Sequence, residues 1–229
     1  KKIEIYLKKA ELADKDFIQF KLNKSDYLFS INKIDDSIEL LQKIIEDNSN
    51  PFAFMRLANI FLRIGNDIKS MEIANKAYKK YPDFNQLKAL KGMIHLKRGE
   101  FEEGWKLYEF RDSKQKHIFN DIKTWNDEDL KDNKILVYNE QGLGDTIQFS
   151  KNLLKLSETC KNIDFVVGNK LFPIFKKKIQ NINICKKEDI FKKKYDYKIS
   201  LGSLNKNFYN NNNHKSSELI NCNKNKNKI

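Results

Sequence analysis

The sequence predicts an α solenoid followed by an α/β half-domain on a parallel sheet, and three observations carry that expectation. Gly65 and Gly99 stand 34 residues apart, each closing one helical pattern before another opens. Apolar residues in the first half recur at i, i+3, i+4 and i+7, which is the spacing of one helix face. Beyond Arg111 the period changes, and short apolar runs alternate with amphipathic stretches as strands do when they cross over through helices. The boundaries fall at 1–112 for the solenoid, 113–133 for a connection, 134–204 for the α/β part and 205–229 for a polar tail.

In the first half, Ile3, Leu7 and Ala10 fit the last helix of one repeat, and Ser37, Leu41 and Ile44 fit the second helix of a degenerate one. The clearest unit follows. Phe54, Leu57, Ala58 and Phe61 share a face; after Gly65 the small residues Ser70, Ala74 and Ala77 let a second helix approach, and Pro82 stops it. A helix-turn-helix period of 34 residues is that of tetratricopeptide repeats. Residues 51 to 82 resemble such a repeat, with Phe for the large aromatic and Ala for the usual Gly. The unit from 85 to about 112 keeps Gly99, Phe101 and Tyr108 but puts Lys88 and Lys91 where apolar residues are expected, which predicts a shift in helix phase. The chain opens on Lys1 rather than Met, so the solenoid is expected to be a fragment cut at its N-terminus.

Repeats of this kind bury a core only by stacking, and their inner helices line a concave groove that takes extended peptides. Phe52, Met55, Arg56, Asn59 and Arg63 would project from the inner helix of the best unit as a donor-rich patch for backbone carbonyls or a carboxylate. The same cluster also reads as a solvated face whose arginines pair with nearby carboxylates. The partner class expected at such a groove is a protein or peptide.

In the second half, Lys134 to Asn139 is a short buried strand and Thr146 to Leu156 an amphipathic helix. A strand from Ile163 to Gly168, a helix from Leu171 to Ile179 despite Pro173, and a strand from Asn181 to Cys185 follow. A short helix from Glu188 to Lys194 and a strand from Tyr197 to Leu201 complete the series. This alternation implies a parallel sheet of Rossmann type, in which ligands bind beyond the carboxyl ends of the strands. The stretch YNEQGLGDTIQF, residues 138–149, lies at such an end.

Gly142 and Gly144 would permit positive φ and close backbone approach, and a helix starting near Asp145 would offer unpaired amides to an anion. The dinucleotide pattern G-x-G-x-x-G fails, because Ile147 stands at the third glycine and Gly168-Asn169 where an acidic residue is needed. No P-loop motif is present. Asp145 has two readings, a helix cap and a proton-accepting carboxylate, and local sequence favours the cap.

Three blocks together, GEFEEGWKLYEFR (99–111), WNDEDL (125–130) and ILVYNEQGLGDTIQFSKNLLKL (135–156), resemble a bacterial family in which tetratricopeptide repeats precede a glycosyltransferase domain. The resemblance extends, with decreasing clarity, to Ser200-Leu201. It implies the acceptor-side half of a two-domain (GT-B type) glycosyltransferase similar to the heptosyltransferases. On that resemblance Asp145 is the base that activates an acceptor hydroxyl of a glycan or protein, while Glu140, Gln141, Gly142, Gly144 and Gln148 contact the substrate. A nucleotide sugar is the implied donor, and no cofactor or metal is implied. The donor-binding half is expected to be missing, because the chain turns polar and low in complexity from Asn205; the implied enzyme would then be inactive alone. The alternative is an interaction scaffold with a vestigial α/β half. Trp105 and Trp125 read as interdomain packing rather than sugar platforms.

Charge and cysteine usage narrow the remaining classes. A net charge of +13 suits a polyanion, yet it is nearly all lysine spread evenly along the chain. Only Arg56, Arg63, Arg98 and Arg111 supply the planar fork that reads phosphates and bases, which argues against nucleic acid. A mild preference for anionic surfaces, such as the inner face of a membrane, fits a cytoplasmic protein. Cys160, Cys185 and Cys222 form no metal-type pair, and His214 with Cys222 is unsupported as a ligand set. The apolar runs fall well short of the roughly 18–20 residues of a bilayer span.

Overall fold

The computed structural model describes residues 2–14, 16–111, 119–179, 181–191 and 193–210. The chain divides into two compact units, Lys1–Ile118 and Phe119–Ile229.

Seven helices make up the described part of the first unit: α1 (Lys2–Ala13), α2 (Ile18–Ser30), α3 (Ile34–Asn48), α4 (Pro51–Arg63), α5 (Asp67–Lys80), α6 (Asn85–Lys97) and α7 (Phe101–Tyr108). Each helix packs on the next, and α2, α4 and α6 also touch in sequence, so three helical hairpins stack with their first helices side by side. The turn inside each hairpin carries one residue of positive φ: Asn32 at 63°, Gly65 at 87° and Gly99 at 78°. Those positions are 33 and 34 residues apart. Asn32 completes the series because asparagine tolerates the left-handed region better than other side chains. The first unit is therefore a tetratricopeptide-type solenoid.

Small residues set the spacing within each hairpin. Ser25, Ala58 and Gly92 on the first helices face Ser37, Ser70 and Gly104 on the second. All six are buried. The Ser37 hydroxyl donates to the Ser25 carbonyl at 2.8 Å and the Ser70 hydroxyl to the Ala58 carbonyl at 2.7 Å. In the third hairpin the approach is closer still, and a Cβ on Gly92 would lie 2.7 Å from the Tyr108 nitrogen. Leu22, Leu41, Ile44, Ala53, Leu57 and Phe61 form the core between the first two hairpins; Ala58, Leu62, Ala74, Leu90 and Ile94 continue it. The Asn50 side chain accepts from the amides of Phe52 and Ala53, with Pro51 as the first helical residue, so α4 starts where its missing amide is harmless.

Two expectations for this unit need correction. Leu7 and Ala10 are half-buried, but Ile3 is exposed, so the face of α1 is only partly covered. The phase shift in α6 is partial. Leu87, Gly92 and Ile94 are buried like Ala53, Ala58 and Ile60, 34 residues earlier. Lys88 and Lys91 are accommodated because their ammonium groups lie over the rings of Phe110 and Tyr78, at 4.6 and 4.8 Å, with the stems covering apolar surface.

The second unit contains β1 (Lys123–Thr124), β2 (Lys134–Tyr138), α8 (Leu143–Phe149), α9 (Lys151–Thr159), β3 (Asn162–Val166), α10 (Phe172–Lys178), β4 (Asn183–Cys185), α11 (Lys187–Ile190), β5 (Tyr197–Ser200) and α12 (Leu204–Asn210). All five strands are parallel, in the order β1-β5-β2-β3-β4. The central strand β2 is the most apolar, as a parallel strand covered on both faces must be.

Several boundaries differ from the sequence expectation. Strand β1 lies inside the stretch assigned to a connection, and Trp125, 8% exposed, anchors it: its amide donates to the Lys198 carbonyl and its indole to the Glu128 carbonyl. Trp125 thus packs within this unit. The helix expected from Thr146 is two segments meeting at Ser150, and α11 is one turn long. Residues 205–210, expected in the polar tail, continue α12, whose Leu204 and Asn207 are buried. Residues 211–229, with His214 and Cys222, lie outside the described residues.

One buried carboxylate ties the last crossover to the sheet. Asp164 on β3 is 3% exposed and accepts from Asn183 Nδ2 at 2.7 Å, Lys193 Nζ at 2.8 Å and the Tyr195 hydroxyl at 2.7 Å. Burial by itself would raise its pKa, but the hydrogen bonds from Lys193, Asn183 and Tyr195 outweigh that and hold it below the ordinary carboxylate value. Burial and the same carboxylate push the Tyr195 hydroxyl up. Burial also raises the Cys185 thiol.

Candidate functional site

The groove of the solenoid is built from positions that repeat along α2, α4 and α6. One row is Gln19, Phe52 and Gln86; a second is Asp26, Asn59 and Met93; a third is Ser30, Arg63 and Lys97, each at offsets of 33 and 34 residues. Between α2 and α4 lies a cavity of about 350 Å³ lined by Asp26, Phe29, Ser30, Arg56, Asn59, Ile60 and Arg63. Three of the five residues expected from sequence meet there. Arg56 Nε donates to both Asp26 oxygens at 3.0 Å, so this arginine is paired with a carboxylate. Arg63 lies over the Phe29 ring at 4.5 Å and forms no ion pair among the described residues. Asn59 is exposed in the groove.

The other two expected residues are placed differently. Phe52 is partly exposed and stacks edge-on against Phe84 at 4.9 Å, and Met55 packs into the core beneath the groove. Asp26, Phe29 and Ser30 were not anticipated. Their signal was present as the 33-residue offset from Asn59, Leu62 and Arg63, hidden because the left-handed residue of the first hairpin is Asn32 rather than glycine.

The second candidate site lies at the carboxyl edge of the sheet. Chain order reverses about β2, whose neighbours are β3 on one side and β5 on the other, and the crevice beyond such a reversal is where parallel sheets hold ligands. Asn139, Glu140, Gln141, Asp145, Thr146, Phe149, Leu201 and Gly202 line a narrow cleft, which has no room for a water-sized body. Glu140, Gln141 and Asp145 therefore meet as expected from their proximity in sequence. Gly142, Gly144 and Gln148 do not line the cleft; all three are exposed.

The glycines do not play the conformational part expected of them. Gly142 has φ −65° and ψ 174°, and Gly144 is helical, so neither uses the left-handed region. Strand β2 passes into α8 without a residue of positive φ. Asp145 acts as a cap: its Oδ2 accepts from the Gly142 amide at 3.2 Å, while Thr146 donates to the Gly142 carbonyl through its amide at 3.0 Å and its hydroxyl at 2.8 Å. This is half of a capping box, because glycine has no side-chain oxygen to return the bond. Leu201 and Gly202 arrive from the end of β5, where the Leu201 amide donates to the Tyr138 carbonyl at 2.8 Å. No local pattern could have announced them, since they follow β2 by some 60 residues. Among the described residues no cluster suited to a metal ion occurs, and no helix is long and apolar enough to cross a membrane.

No protein-family model matches the chain, and no curated protein does. Among solved structures, the second TPR of Spaghetti (RPAP3), bound to the HSP90 peptide SRMEEVD, aligns with a TM-score of 0.37 at 17% identity, over 43% of this chain and 92% of that one. MamA aligns at 0.36 with 20% identity over 45% of this chain and 61% of its own. The TPR domain of P58(IPK) aligns at 0.37 with 15% identity over 66% of this chain and 41% of its own. This chain thus spans less than two thirds of the latter two. The solenoid assignment rests on the helix pairing, the left-handed turns and the repeat offsets of the chain itself.

Proposed function

We propose that the chain is a protein-interaction scaffold whose solenoid holds an extended peptide segment of a partner along α2, α4 and α6. The observation that carries this reading is the set of aligned rows across the groove: amides at Gln19, Gln86 and Asn59, exposed apolar groups at Phe52 and Met93, and a cation at Arg63. Amides satisfy peptide backbone groups, apolar side chains give alternate pockets, and an arginine without a carboxylate partner favours an acidic ligand residue. The test is fluorescence anisotropy with an unbiased panel of ten-residue peptides. A subset is expected to bind, with about tenfold weaker affinity for Asn59→Ala and Arg63→Ala and unchanged affinity for Lys76→Ala on the exposed side of α5. Binding that is insensitive to the groove variants would sink the reading.

A second reading applies to the other unit: sugar transfer at a Rossmann-like sheet, with Asp145 as the base. The position of Asp145 in the cleft at the reversal of strand order favours it. Opposing it, the cleft is too narrow for a water-sized body and the carboxylate is engaged as a cap. Asp145→Asn keeps an acceptor for the Gly142 amide, so this variant should fold normally while losing any transfer from a nucleotide sugar. Unchanged transfer would exclude the role of base.

A further inference from the structure

We draw no further inference here: the strongest candidate, the exposed apolar stripe of Ile3 and Tyr6 on α1 at the amino-terminal end of the solenoid, carries nothing because nothing in the structure shows what covers it.

Discussion

Gly92→Ala is the sharpest test of how the third hairpin is held. A Cβ at this position would lie 2.7 Å from the Tyr108 nitrogen, 2.9 Å from the Gly104 oxygen and 2.9 Å from the Leu107 carbonyl carbon. All three atoms are α7 or adjoining backbone, so no side chain can rotate away. Ordinary contact begins near 3.4 Å, and α7 must move outward by roughly half an ångström along its length. Overpacking of this kind costs about 1–3 kcal/mol, against which alanine regains about 1 kcal/mol of helix propensity. The net expectation is a loss of about 1 kcal/mol, the centre of a range of about 0–2 kcal/mol. Gly104→Ala should cost less, because two of its three closest atoms belong to the Leu96 side chain, which can shift. Gly144→Ala on α8 meets nothing within 4 Å and should be neutral or stabilising by up to about 1 kcal/mol. Urea denaturation of the full chain, followed by helical circular dichroism, measures all three. If Gly92→Ala proves as stable as the parent, backbone contact between α6 and α7 is not what holds the hairpin at this spacing.

Further predictions concern single polar groups. Ser70→Ala removes the bond to the Ala58 carbonyl inside the second hairpin and should cost about 1 kcal/mol in the urea transition of the solenoid. Asp145→Ala loses the acceptor for the Gly142 amide and should destabilise the second unit by about 0.5–1 kcal/mol, whereas Asp145→Asn should remain near the parent. Asp164→Asn leaves Lys193 without its counter-charge and should cost the second unit about 3 kcal/mol at neutral pH. The pKa of Asp164 is depressed on folding, so its contribution is fully present above the ordinary carboxylate value of about 4 and is lost as pH falls through the lower folded value. Acid titration of thermal stability should therefore show a steeper loss below about pH 4 in the parent than in Asp164→Asn.

Residues 51–82 show how far local pattern reaches. Phe54, Leu57, Ala58 and Phe61 can be grouped from helical spacing alone, and the structure buries all four. Gly65 and Gly99 are legible for a related reason, since a left-handed turn selects its residue type without help from distant contacts. Gly142 and Gly144 are the counterexample: identical residues promised special backbone and the chain found an ordinary route into α8. Among the site residues, Glu140, Gln141 and Asp145 come together because they are neighbours in the chain. Leu201 and Gly202 join them only because β5 returns beside β2.

The sequence by itself determined the repeat period, the change from helical to alternating pattern and the placement of the 138–149 loop after a buried strand. Those features are written in spacings of a few residues, where helix and strand geometry act directly on composition. Only the tertiary structure decided that Asn32 closes the first hairpin, that among the described residues Arg56 is paired with Asp26 while Arg63 is not, and that Asp164 gathers Asn183, Lys193 and Tyr195. These outcomes depend on which distant segments are brought into contact, because charge pairing and cavity shape are properties of packed neighbours rather than of any one stretch of chain.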